Sequence, residues 1–143
     1  MNKPAAIAAE LVTLLNAGSF TLPFTAIRSY APLFTREELE TLRVCVAPRT
    51  RERFPVSREE SHDDVLIDIW IMKGVSSEIP VTEADPIADF AEEILYWTER
   101  KNPASVIGYS WLRSEQIFFV PEHLQNKGVF SSIVTATYKG LAS

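Results

Sequence analysis

Residues 43–73 read RVCVAP, RTRERFPVSREESH and DDVLIDIWIMK in succession. The first segment places Leu42, Val44 and Val46 on one face of a strand over about 42–47, because side chains alternate with period two. The third segment predicts a strand over 64–73. Val65, Ile67, Ile69 and Ile71 form one apolar face, and Leu66, Asp68, Trp70 and Met72 form the other. A strand with one wet face alternates more cleanly. This one is therefore placed centrally, with helices over the isoleucine face and another subunit as a candidate cover for part of the second face. Between the two strands, residues 48–62 read as an extended charged connector. Structureless loops of about 15 residues are uncommon in compact domains without a use, so the connector is expected to contact a partner, with a merely solvated loop as the alternative.

Outward from this stretch the pattern is regular. Residues 4–17 read as an amphipathic helix, with Pro4 in the first turn, Ile7, Leu11, Leu14 and Leu15 at helical spacing, and Gly18 as the terminator. Glu10 interrupts the apolar run, so a helix is favoured over a signal peptide. Phe24–Tyr30 reads as a short strand between Pro23 and Pro32. Thr35 and Glu38 have capping-box spacing, which predicts one helical turn over 35–40. Asp85 and Pro86 read as the N-cap and first residue of a helix running to about Lys101, burying Ile87, Phe90, Ala91, Ile94, Leu95 and Trp97. From Val106 a long strand is expected, bulged near Arg113 to Glu115, then the loop PEHLQNKG and a last strand over Val129–Lys139.

The order is α-β-β-β-α-β-β. Strands joined by loops favour antiparallel pairing, and two amphipathic helices favour one covered face. The fold class is therefore α+β: an antiparallel or mixed sheet of about five strands with two α-helices packed on one face. At 143 residues the chain reads as a single domain, long enough to bury a core without staples. Its one cysteine, Cys45, cannot form an internal disulfide and alternates with Val44 and Val46 as a packed thiol. No apolar run approaches the roughly 18 residues of a membrane span. The net charge of −5 argues against a dedicated nucleic-acid binder. Six of the 14 basic residues are Arg36, Arg43, Arg49, Arg51, Arg53 and Arg58.

No catalytic or cofactor motif holds. Gly108-Tyr109-Ser110-Trp111-Leu112 lacks the second glycine and the strand-to-helix context of a nucleophile elbow. Glu59, Glu60, His62, Asp63 and Asp64 are metal-ligand types, but they lack a calcium-loop pattern and a second histidine at zinc spacing. They read as a solvated strand entrance. His123 reads as a surface histidine, and Trp97 as core. For Trp70, beside Asp68 on a mixed face, core and interface both stay open. Neither a metal nor a cofactor is expected, and a hydrolase built on Ser110 or His62 is the weakest reading.

The combination resembles the tail terminator (tail completion) proteins of long-tailed bacteriophages. The stretches that carry it are RSYAPLFTREELETLRVCVAPR, the charged connector, DDVLIDIWIMKGV, DPIADFAEEILYWTER and SSIVTATYKG, after an N-terminal helix and short strand. Such proteins form a ring, usually of six subunits, on the end of the tail tube. The resemblance implies a non-enzymatic virion protein, assembled in the host cytoplasm and placed at the head-proximal end of the tail. Its partners would be its own copies, the tube protein and a neck or head-completion protein, with DNA only as transiting cargo and no membrane. Neighbouring neck and tube proteins share the architecture and remain alternatives, as does a small nucleic-acid-binding regulator using the arginine-rich loop. Contacts to a neighbour or tube are expected from Arg49, Arg51, Arg53 and Arg58, and a subunit interface from Asp68 and Trp70. Charge reversal at Arg51 and Arg53 is expected to spare the fold and impair assembly.

Overall fold

A computed structural model describes residues 2–58, 61–75, 81–118, 120 and 128–142. Glu59, Glu60, His123 and nearly all of the loop 121–128 lie outside the described residues. The elements are α1 (Lys3–Ala17), β1 (Ala26–Arg28), a 3-10 turn (Glu38–Glu40), β2 (Arg43–Pro55), β3 (Ser61–Gly74), α2 (Val81–Thr98), β4 (Tyr109–Ile117) and β5 (Val129–Ala142). The fold is α+β. Five strands form one mixed sheet in the order β1-β2-β3-β5-β4, with β3 at its centre.

The isoleucine face of β3 is the floor of the core. Val65, Ile67, Ile69 and Ile71 are fully buried, with Val44 and Val46 on one side and Val134, Ala136 and Tyr138 on the other. Both helices pack on this face, α1 through Ile7, Ala8 and Leu11 and α2 through Phe90, Ala91 and Ile94. Phe20, Phe24, Phe90 and Trp97 close the gap between the helices with edge-to-face ring contacts. The Asn2 side chain caps α1 by accepting from the Ala5 N–H at 2.8 Å. Among the described residues no helix is long and apolar enough to cross a membrane.

Several boundaries differ from the sequence reading. β1 is three residues long and runs parallel to β2. A parallel return needs a crossover rather than a tight turn, and residues 29–42 supply it by passing over the second face of the sheet. The predicted capping box forms there: Thr35 N–H donates to Glu38 Oε1 and Glu38 N–H to Thr35 Oγ1. Leu39 and Phe34 pack on Met72, Val129 and Trp70. One end of the second face is thus covered by the chain itself.

α2 begins at Val81, four residues before Asp85, and keeps Pro86 inside. The missing N–H forfeits one helical bond, which the burial of Ile87 and Phe90 offsets. It ends at Thr98 rather than Lys101, where Arg100 takes a left-handed φ of 62°. β4 starts at Tyr109 rather than Val106, and its bulge, expected near Arg113 to Glu115, falls just before them, between Trp111 and Arg113.

The largest correction concerns residues 48–62. β2 runs unbroken to Pro55 and β3 begins at Ser61, paired from Arg43↔Met72 to Pro55↔Ser61. The connector is therefore a long hairpin arm with a short tip, and β5 extends to Ala142 to pair with it. Hydrophobic alternation fails here because charged side chains replace apolar ones in the cross-strand pairs.

Candidate functional site

The arm carries two ion-pair clusters, and a bulge at its base sorts the arginines between them. Register shifts between Pro48↔Ile67 and Thr50↔Leu66, leaving Arg49 as the extra residue. Pro48 has no N–H for the ladder, a common setting for a bulge. In a regular strand Arg49, Arg51 and Arg53 would share one face. Here Arg49 stays on the second face, while Arg51, opposite Val65, and Arg53, opposite Asp63, turn to the helix face.

On the helix face, Asp63 is fully buried. Its Oδ2 accepts from Arg51 Nη2 at 2.7 Å, Arg51 Nε at 3.1 Å and the Tyr109 hydroxyl at 2.6 Å. Arg53 Nε lies 3.1 Å from Oδ1 as an ion-pair contact without hydrogen-bond alignment. Tyr109 reaches Asp63 across an intervening strand, because Gly140 of β5 stands between them in register. A Cβ on Gly140 would come within 2.5 Å of the Tyr109 ring, so glycine is what lets the ring lie flat over β5. Burial alone would raise the Asp63 pKa. The Tyr109 and Arg51 hydrogen bonds and the two guanidinium charges outweigh it and hold the carboxyl below its ordinary value. Burial and the bond to Asp63 push the Tyr109 phenol up.

On the second face, Asp68 is also buried. Arg49 meets it as a fork, with Nε 3.1 and 3.0 Å from the two oxygens and Nη2 2.9 Å from Oδ1. Thr135 donates to Oδ1 at 2.8 Å and accepts from Arg49 Nη2 at 2.8 Å. The hydrogen bond to Asp68 and the nearby charge of Glu115 strengthen the hold of Arg49 on its proton.

Three of the four expected contact arginines therefore bind carboxylates of their own chain. Arg58 is exposed at the tip. Reversing Arg51 and Arg53 would place acids against a buried acid, so that pair cannot serve as a probe of assembly alone. Trp70 is half-buried, beside Cys45 and Ile133 in register and packed on the Leu39 group. It thus belongs in part to a small second core. Burial pushes the Cys45 thiol up to about 11, as expected for a packed cysteine.

The remaining candidates are dispersed. His62 stacks on Phe54 with ring centroids 4.9 Å apart and lies 3.8 Å from Asp64. Ser110 lies opposite Lys139 in a regular strand. Among the described residues no group of three acids, histidines or cysteines is placed to hold a metal. At the opposite end of the sheet, an open cleft of about 1170 Å³ lies between the 3-10 turn and the start of α2. It mixes Leu22, Phe34 and Ile87 with Arg36, Lys73 and Glu83.

Tyr109, Gly140 and Thr135 were not among the site residues expected from the sequence. Gly140 carried a signal, since a glycine inside a strand marks a close approach. Known protein families yield no model that matches the chain, and no curated protein matches it significantly.

Proposed function

We propose that the protein is a structural component of a long-tailed phage virion that forms a ring on the head-proximal end of the tail tube. There it would stop tube growth and present the surface that joins the neck or head. The observation that carries this reading, together with the resemblance in sequence, is the hairpin arm. Ion pairs on both its faces stiffen it, and it projects the exposed Val56 and Arg58 where a neighbour or the tube could meet them. A ring needs a contact between two different surfaces that closes by rotation, and a rigid arm reaching into the next copy is one way to build it. Internal pairing of the arginines leaves the arm suited to protein contact more than to phosphate, which weighs against the nucleic-acid reading.

The test is electron microscopy of the protein mixed with purified tube protein. Six-fold rings capping tubes of fixed length support the proposal, as does loss of capping in Arg58→Glu with an unchanged melting temperature. Unlimited co-polymerisation would instead make it a tube protein. Tight, salt-sensitive binding of duplex DNA would favour the regulator.

A further inference from the structure

The free edge of β4 is self-complementary in charge. β4 is the outermost strand on its side of the sheet. The start of that edge is closed, because the Trp111 N–H donates to Asn102 Oδ1 at 2.9 Å. The other edge is handled alike, with Asn16 bonding both the N–H and C=O of Ala26 in β1. Among the described residues, what stays open on β4 starts at Leu112, with Ser114 near its middle. Arg113 and Glu115 flank Ser114, both exposed, opposite Thr137 and Thr135 of β5 on the second face of the sheet.

We infer that a second copy of this chain pairs with this edge, β4 against β4 in antiparallel register about a two-fold axis through Ser114. In that register Leu112 meets Gln116 of the other copy, and Arg113 meets its Glu115, twice over. Directly opposite charges stabilise an antiparallel pair, and like charges destabilise it. The row also continues an existing one. Asp68, Thr135 and Glu115 are consecutive in register, and Arg49 covers Asp68. Across the axis the next member is the Arg113 of the other copy, which continues the row with a positive charge directly opposite Glu115. Leu112, 41% exposed, lies at the end of the ladder and adds apolar area.

The other open stretch of edge does not behave this way. Among the described residues β1 pairs only with residues 44–46 of β2, leaving the edge of the arm uncovered. A two-fold axis through residue 50, 51 or 52 sets arginine against arginine there. The charge pattern thus selects β4.

This contact is separate from the proposed ring, since a two-fold interface closes at two copies, and its test needs no tail tube. Sedimentation equilibrium of the free protein is expected to show a monomer–dimer equilibrium. Glu115→Arg places arginines opposite one another and should weaken the dimer by about tenfold or more. The double swap Arg113→Glu with Glu115→Arg restores opposite charges and should recover the dimer. Circular dichroism and melting temperature confirm that each variant folds. A wild-type monomer at millimolar concentration overturns the inference. So does a single swap without effect, or a folded double swap that stays monomeric.

Discussion

Asp63 and Asp68 lie five residues apart on one strand and so point to opposite faces of it. Both are buried and both meet arginines from β2, yet their surroundings differ. Asp63 is sealed by a tyrosine ring laid across a glycine, and its main partner Arg51 has a side chain only 32% exposed. Asp68 is held under Arg49, whose side chain is 42% exposed, with a threonine as its second donor. The same ion pair is therefore a core element on one face and a semi-solvated clasp on the other. The lesson is that the covering residue, more than the acid or the arginine, sets what an ion pair contributes.

The comparison breaks most sharply at Asp63. Asp63→Asn removes the charge facing two guanidiniums and should cost about 3 kcal/mol in urea unfolding. The pH dependence follows the same group. Its folded pKa is depressed, so its contribution is fully present above about pH 4 and is lost as pH falls from there through the folded value. Acid titration of stability should show that limb in the wild type, and Asp63→Asn should flatten it.

Gly140→Ala is expected to cost about 2 kcal/mol, because the new methyl displaces the Tyr109 ring and breaks its bond to Asp63. In a Tyr109→Ala background the same change should cost much less, and a double-mutant cycle reads the difference. Arg49→Ala on the other face should cost only about 1 kcal/mol, since Thr135 still donates to Asp68 and the arginine is partly solvated. An equal loss at Arg49 and Asp63 would erase the distinction between the faces. The smallest effect belongs to Tyr138, whose fully buried hydroxyl has no hydrogen-bond partner among the described residues. Tyr138→Phe should be neutral or slightly stabilising in thermal unfolding, whereas Tyr109→Phe destabilises.

Where burial wrote the sequence, the sequence could be read back. The alternating valines and isoleucines of β2 and β3, the helical stripe around Phe90 and the capping box at Thr35 all reported their elements. The arm did not, because its two faces are filled by Arg51 with Asp63 and Arg49 with Asp68, and such residues read as loop when taken one at a time. The candidate site was legible in its members but not in its pairing. Arg49, Arg51, Arg53 and Asp68 were all singled out, yet their mutual bonds depend on a one-residue bulge that shifts side-chain parity. Tyr109 reaches the site across β5, a relation fixed by strand order, which local pattern does not carry. The parallel pairing of β1 was missed for the same reason.

The bulge at Arg49 has a mechanical consequence. Bulges bend a strand and increase its twist, yet β3 stays paired with β5 as far as Ser61↔Ala142, and Val65, opposite Arg51 beyond the bulge, is fully buried. The bend at Pro48 and Arg49 is thus built into a continuous sheet rather than into a hinge. It fixes one bearing on which Val56 and Arg58 approach whatever they touch.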